Sequence, residues 1–224
     1  MATRETQIKI TTAALALFNE HGSASVSFEK IACKAGISKG NLHYHYASKE
    51  EIVMALWAQL DKRLHHWGEI VNNGVPEPVA DVLMHQFEVT WEFRFLYSEF
   101  SVLLAKDPDL RYRFKKRRTQ RMGEIKLFCK ALMERNILKR TMSDDEILRL
   151  IKSIWVISDY WLSYVFAEGK EVTHDTMTEG YELISQLIRP YLVNPADVKT
   201  PFTSTEVTQT YTKMRLAAGG EAAE

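Results

Sequence analysis

The residues best suited to chemistry lie between Ser27 and Lys49. Lys39, Gly40, Asn41, His43, Tyr44 and His45 stand close together there, combining an ammonium, an amide, two imidazoles, a phenol and a glycine. Such groups donate hydrogen bonds, stack on rings, or let a backbone approach closely. Together they suit reading a base edge or gripping a phosphate. Catalysis finds no comparable pattern: no glycine-rich phosphate loop, nucleophile elbow or His-Glu-x-x-His occurs. His65 and His66 are neighbours on a helix, about 100° apart, a poor arrangement for sharing one metal. Cys33 and Cys129 have no zinc-type spacing and read as reduced thiols. The expectation is therefore no enzyme, no metal and no cofactor.

The flanking residues predict how this group is presented. Ser27 is a helix N-cap, with Val26 and Ile31 placed as a hydrophobic staple. The helix from Phe28 to Ala35 stops at Gly36, and Ser38 caps a second short helix from Lys39 to about Tyr46. Two short helices across Ala35-Gly36-Ile37-Ser38 have the spacing of a helix-turn-helix. Ile31, Ala32, Ile37 and Leu42 form a small core with Leu15 and Phe18, leaving residues 39–41 and 43–45 facing outward. A preceding helix, capped by Thr3, carries the stripe Ile8, Thr12, Leu15 and Phe18 and ends at Gly22. Ser48-Lys49-Glu50-Glu51 is a capping box, the Glu51 carboxylate returning to Ser48. It opens a long helix towards Ile70. On chemistry alone, a surface helical hairpin without a ligand is the alternative to a major-groove helix.

The remaining chain also reads as helical. Asn72 to Pro78 is a linker-like break, followed by one long aromatic helix to about Lys106. Asp107-Pro108-Asp109 stops and restarts the chain into a basic helix to about Leu138. Ser143 to Glu146 is a second capping box, opening a stripe of Ile147, Leu150, Ile151, Ile154, Ile157, Trp161 and Val165 that ends at Gly169. Another helix runs from about Thr173 to Tyr191, and beyond Pro195 the chain turns polar, with one weak helix over 205–217. The fold class is all-α: a three-helix helix-turn-helix domain over 1–50, a connecting helix over 51–72, a helical bundle over 73–194 and a polar tail over 195–224. Of 224 residues 46% are hydrophobic and 26% charged, enough for an independent core and against wholesale disorder. No stretch reaches the ~20 apolar residues of a membrane span, and residues 1–6 lack the apolar core of a signal peptide. A cytosolic location is expected.

The run from Ile31 through Ile52 resembles the DNA-binding signature of the TetR/AcrR family of bacterial regulators. The preceding helix, with Ala14, Leu17, Phe18 and Gly22, is similar to that family's first helix. The resemblance covers about the first fifty residues. It implies a bacterial homodimer, at the nucleoid when DNA-bound and usually a repressor, that leaves a near-palindromic double-stranded operator when a small molecule enters each C-terminal domain. It also implies that Asn41 and His43 meet bases or backbone and that Tyr44, Lys49 and Ser27 meet phosphate. Two positions depart from the pattern: His43 stands where the family usually has tyrosine, and Tyr46 where it usually has phenylalanine.

The family's effector cavity lies among the middle helices, so Trp91, Glu92, Phe95, Trp155, Asp159 and Tyr160 are the expected lining; core packing is the alternative for each. Two apolar faces near the end, with Ile147, Leu150, Ile151, Ile154 and Trp161 on one and Tyr181, Ile184 and Leu187 on the other, could both be internal to one domain; the resemblance implies instead a four-helix interface between subunits. A net charge of zero is no argument against an anionic partner, since residues 107–140 hold twelve basic and four acidic groups. The run Arg111 to Arg118 is a solvated face, a second phosphate contact or an anionic-effector site. The reading is a dimeric, sequence-specific, effector-responsive repressor; a helical sensor or adaptor without DNA is the rival.

Overall fold

The computed structural model describes residues 2–64 and 80–194. The break at Asn72 to Pro78, the connecting helix beyond Leu64, His65, His66 and the polar tail lie outside the described residues. The described residues are helical, with β-type pairing appearing among them as an isolated bridge between Leu138 and Leu192. The helices are α1 (Ala2–His21), α2 (Phe28–Lys34), α3 (Lys39–His45), α4 (Lys49–Arg63), α5 (Ala80–Glu92), α6 (Arg94–Ser98), α7 (Phe100–Lys106), α8 (Pro108–Glu134), α9 (Asp144–Ala167) and α10 (His174–Ile188).

Packing divides the chain into two compact units, Met1–His65 with Glu92–Arg118, and His66–Trp91 with Thr119–Glu224. This division differs from the sequence-based boundaries at 50 and 72. The first unit is discontinuous because residues beyond Glu92 fold onto the N-terminal helices.

In the first unit, α1 buries Ile10, Ala14, Leu17 and Phe18, while Ile8 and Thr12 face out and Leu15 is half-buried. Of the expected stripe Phe18 is fully buried, and the buried face is rotated away from Ile8 and Thr12. Thr3 lies within α1 rather than capping it. Fully buried Phe18, Ile31 and Leu42 are each worth about 1.5–3 kcal/mol in removed apolar surface.

The single aromatic helix expected up to Lys106 is three segments. Phe93 (φ −105°, ψ 29°) and Glu99 (φ −104°, ψ 9°) leave helical geometry. At the first break the amide of Asn19 replaces lost helical partners: Oδ1 accepts from Phe95 N–H at 3.1 Å, and Nδ2 donates to Glu92 C=O at 2.7 Å. Phe95 stacks obliquely on Phe18, their centroids 5.1 Å apart. At the second break the Glu99 carboxylate accepts from Ser23 N–H at 2.7 Å and from the Ser23 hydroxyl. Gly22, at φ +76°, leaves just enough room, since a Cβ there would sit 3.0 Å from Glu99 Oε1.

In the second unit α8 ends at Glu134, short of the expected Leu138. Asn136 adopts φ +59°, with Asn136 N–H on Met133 C=O (3.1 Å) and Ile137 N–H on Leu132 C=O (2.9 Å), a left-handed helix stop built on asparagine. Phe128, Cys129, Leu132, Met142, Ile147, Leu150 and Ile151 form its core. Burial pushes the Cys129 thiol up to about 11, so it is an inert core group.

The capping box at α9 is present: Ser143 Oγ accepts from Glu146 N–H at 3.3 Å, and the Glu146 carboxylate accepts from Ser143 N–H at 2.8 Å. That backbone donor holds the Glu146 carboxyl below its usual range, as Lys126 and Lys130 do for Asp144. α9 packs closely on α10, where the Trp161 ring lies over Gly180 and its indole N–H donates to Thr176 C=O at 2.6 Å.

Candidate nucleic-acid interface

The α2–turn–α3 unit is built by short-range rules that its own residues satisfy. Ser27 Oγ accepts from Lys30 N–H at 3.3 Å, and Val26 and Ile31 are both buried, as a staple requires. α2 closes with Gly36 at φ +68°, Gly36 N–H on Cys33 C=O (3.1 Å) and Ile37 N–H on Ala32 C=O (3.0 Å). This double bond pattern needs a left-handed residue at Gly36, where any Cβ adds strain. Ser38 Oγ then accepts from Asn41 N–H at 3.1 Å and starts α3.

α3 points Leu42 fully inward and leaves Lys39, Gly40, Asn41, His43 and Tyr44 exposed, Tyr44 at 81%. His43 is exposed on one side and stacks on Phe28 on the other, centroids 4.7 Å apart. His45 departs from the expected outward set: it is half-buried, with the Tyr44 ring edge-on at 5.2 Å. Among the described residues nothing demands glycine at position 40, since a Cβ there would meet Ser38 Oγ at 4.0 Å.

Two cations of the expected DNA-binding set, Lys49 (expected at phosphate) and Lys39 (on the recognition helix), are engaged within the chain. Lys49 Nζ donates to Ser23 C=O at 2.7 Å, tying the α1–α2 loop to the start of α4. Lys39 Nζ is ion-paired with Glu29 on α2. The Lys39 hydrogen bond, aided by Glu29's own backbone N–H, brings the Glu29 carboxyl down to about 2. Ser48 caps α4 as expected, but the Glu51 carboxylate takes Ala47 N–H at 2.7 Å rather than Ser48.

The expected effector residues are divided between the two units. Phe95 is buried against Phe18 and Glu92 pairs with Arg63 at 2.7 Å, both in the first unit. Trp91 faces His174 at 3.9 Å in the second, Asp159 is buried, Trp155 is half-buried against the core, and Tyr160 is exposed. A small, solvent-open recess with an apolar lining lies among Thr90, Ile157, Ser158, Trp161, Met177 and Tyr181.

The expected interface residues need correction too. Ile147, Leu150, Ile151, Tyr181 and Ile184 are already buried within their own chain and offer a partner almost no area; Ile154, Trp161 and Leu187 are half-buried. The apolar pattern on α9 has two sides, and sequence spacing picked the inner one. The outer side carries Val156, Tyr160 and Tyr164, with Leu183 exposed on α10.

In the Arg111–Arg118 run, Arg117 is buried and bonded to Asp61 at 2.8 Å, and Arg118 lies over the Phe114 ring at 4.7 Å. Arg111, Lys115 and Lys116 are exposed. Among the described residues no helix is long and apolar enough to cross a membrane, and no His, Cys, Asp and Glu group is arranged to hold a metal.

Comparison with known proteins bears on these observations. Residues 10–56 match the family model "Bacterial regulatory proteins, tetR family", and residues 56–197 match "Bacterial transcriptional repressor". The chain is 27% identical over 154 residues to the HTH-type transcriptional repressor KstR2 of Mycobacterium tuberculosis, spanning 66% of this chain and 76% of that one. A TetR-family regulator from Marinobacter aquaeolei shares the fold with TM-score 0.68 at 22% identity, over 92% of this chain and 97% of that one. One from Haloarcula marismortui aligns with TM-score 0.64 at 16% identity, over 84% and 99%. With both its halves matched and a helix-turn-helix in the matching place, this chain belongs to the TetR family of bacterial DNA-binding transcriptional regulators.

Proposed function

We propose that the protein is a cytoplasmic homodimeric repressor that inserts α3 into the major groove of a near-palindromic operator and leaves it when a small molecule binds the second unit. The single observation that carries this reading is the one-sided α3: Leu42 is sealed into the core while Lys39, Gly40, Asn41, His43 and Tyr44 stand bare. Gly40 lets the α3 backbone close on the duplex, Asn41 offers a donor and an acceptor to a base edge, and Tyr44 reaches the phosphate strand. Ser27 and the exposed N-terminus of α2 supply a further phosphate contact.

Dimerisation uses the outer side of α9 with Leu183 of α10, placing two copies of α3 about one DNA turn, ~34–36 Å, apart. The effector is placed in the second unit at the small apolar recess around Trp161 and Tyr181, which it must widen on entry, with the Thr90 and Ser158 hydroxyls as polar partners. Such a ligand lowers DNA affinity only by its differential affinity for the two arrangements of the protein.

Selection of duplexes from a random pool tests the reading. Enrichment of a two-fold symmetric site supports it, and Asn41→Ala and Tyr44→Ala are each expected to weaken that site at least about tenfold, the scale of one lost base or phosphate contact. Their helical circular dichroism should stay unchanged. Recovery of no preferred duplex would refute it.

A further inference from the structure

Glu29 is the sole carboxylate between Ser23 and Lys49, a stretch that holds Lys30, Lys34, Lys39 and Lys49. It stands in the first turn of α2, and its side chain crosses to α3 to meet Lys39 Nζ. Both partners are more than half exposed, so the pair lies on the surface and screening keeps it weak. The carboxyl, brought to about 2, stays ionised at any pH near neutrality.

An exposed anion on a face that meets a polyanion adds a small repulsion shared by every duplex, which leaves discrimination unchanged. It also occupies the first ammonium of the recognition helix. Sequence-independent affinity comes from lysines and arginines that neutralise phosphates and release counterions. A lysine already neutralised by its own protein contributes little to that term. At the cognate site the same lysine can exchange its weak surface partner for a geometrically matched base edge or phosphate. Discrimination is a difference of affinities, and a repulsive element that acts on wrong partners widens it.

We propose that Glu29 is a specificity-determining residue that masks Lys39 from indiscriminate phosphate contact, so that Lys39 is released only where the α3 register is correct. This rests on α3 being the groove helix. Masking lowers affinity for random DNA more than for the operator, and so raises the ratio between them.

The test measures binding of the full-length protein to its selected duplex and to a scrambled duplex, at about 50 to 200 mM salt. Wild type, Glu29→Gln, Lys39→Met and the double variant are compared. Glu29→Gln should bind the scrambled duplex roughly three- to ten-fold tighter at the lowest salt, with a log–log salt slope steeper by about 0.9. Its affinity for the selected duplex should change less, so the ratio falls. In the Lys39→Met background the gain should largely vanish. An unchanged slope and ratio in Glu29→Gln would overturn the proposal, as would an equal gain without Lys39, which reports general repulsion rather than masking. Wild-type protein that prefers no duplex overturns the groove reading itself, a result distinct from both.

Discussion

Asn19 sits on the half-polar side of α1, where spacing alone gives it no role, yet both ends of its amide satisfy backbone groups 73 and 76 residues away. A helix break inside a folded unit leaves an N–H and a C=O without their usual partners, and an unmet buried backbone group costs free energy. Asparagine is the right shape to answer both at once. Asn19→Ala is therefore expected to destabilise the fold by about 1–3 kcal/mol, read as a lower urea midpoint with an unchanged slope. A loss below about 0.5 kcal/mol would mean that packing of Phe95 on Phe18 holds the break unaided. Lys49 teaches the complementary point: its position suggested phosphate, but its amine closes a loop, a contact no local pattern encodes.

At the scale of elements, what could be read in advance was what short-range chemistry decides. The caps at Ser27, Ser38, Ser48 and Ser143 and the stops at Gly36 and Gly169 all lie where hydroxyl spacing and glycine placed them. The missed boundaries depend on partners distant in sequence. The breaks at Phe93 and Glu99 exist because Asn19 and Ser23 lie opposite them, and the stop at Asn136 uses a residue less telling than glycine. The α3 face was legible because Leu42 is its one apolar side chain among polar neighbours. The recess was not, since apolar stripes on α9 and α10 do not reveal which side meets the partner helix.

Two glycines separate packing from propensity. Gly180→Ala would bring a Cβ within 2.6–2.8 Å of the Trp161 ring, whereas Gly123, inside α8, has open space. The first is expected to cost about 1–3 kcal/mol through overpacking, and the second to gain about 0.5–1 kcal/mol through helix propensity. Thermal melts should move in opposite directions; a tolerated Gly180→Ala would mean that Trp161 shifts freely and loses its bond to Thr176.

At the scale of the molecule, zero net charge conceals opposed regions, and the same holds for its apolar surface. Val156, Tyr160 and Tyr164 recur every four residues along the outer side of α9, all more than two-fifths exposed. If that side joins two subunits, Val156→Asp with Tyr160→Asp should yield monomers in sedimentation at micromolar concentration, and weaken operator binding by at least about tenfold through lost bivalency. Leu150→Ala, buried in its own chain, should lower stability by about 2–5 kcal/mol while leaving the association state intact. Double-aspartate protein that remains dimeric would move the interface elsewhere.

The unit that carries α2 and α3 is completed by residues from far along the gene. Swapping reading heads between relatives at residue 56, where the two family models meet, would thus graft α1 onto a stranger's residues 92 to 106. Phe18 would have lost the ring cut to fit it, and Ser23 its carboxylate. Functional chimaeras of this protein need two crossovers rather than one, and evolution by simple recombination at that seam faces the same obstacle.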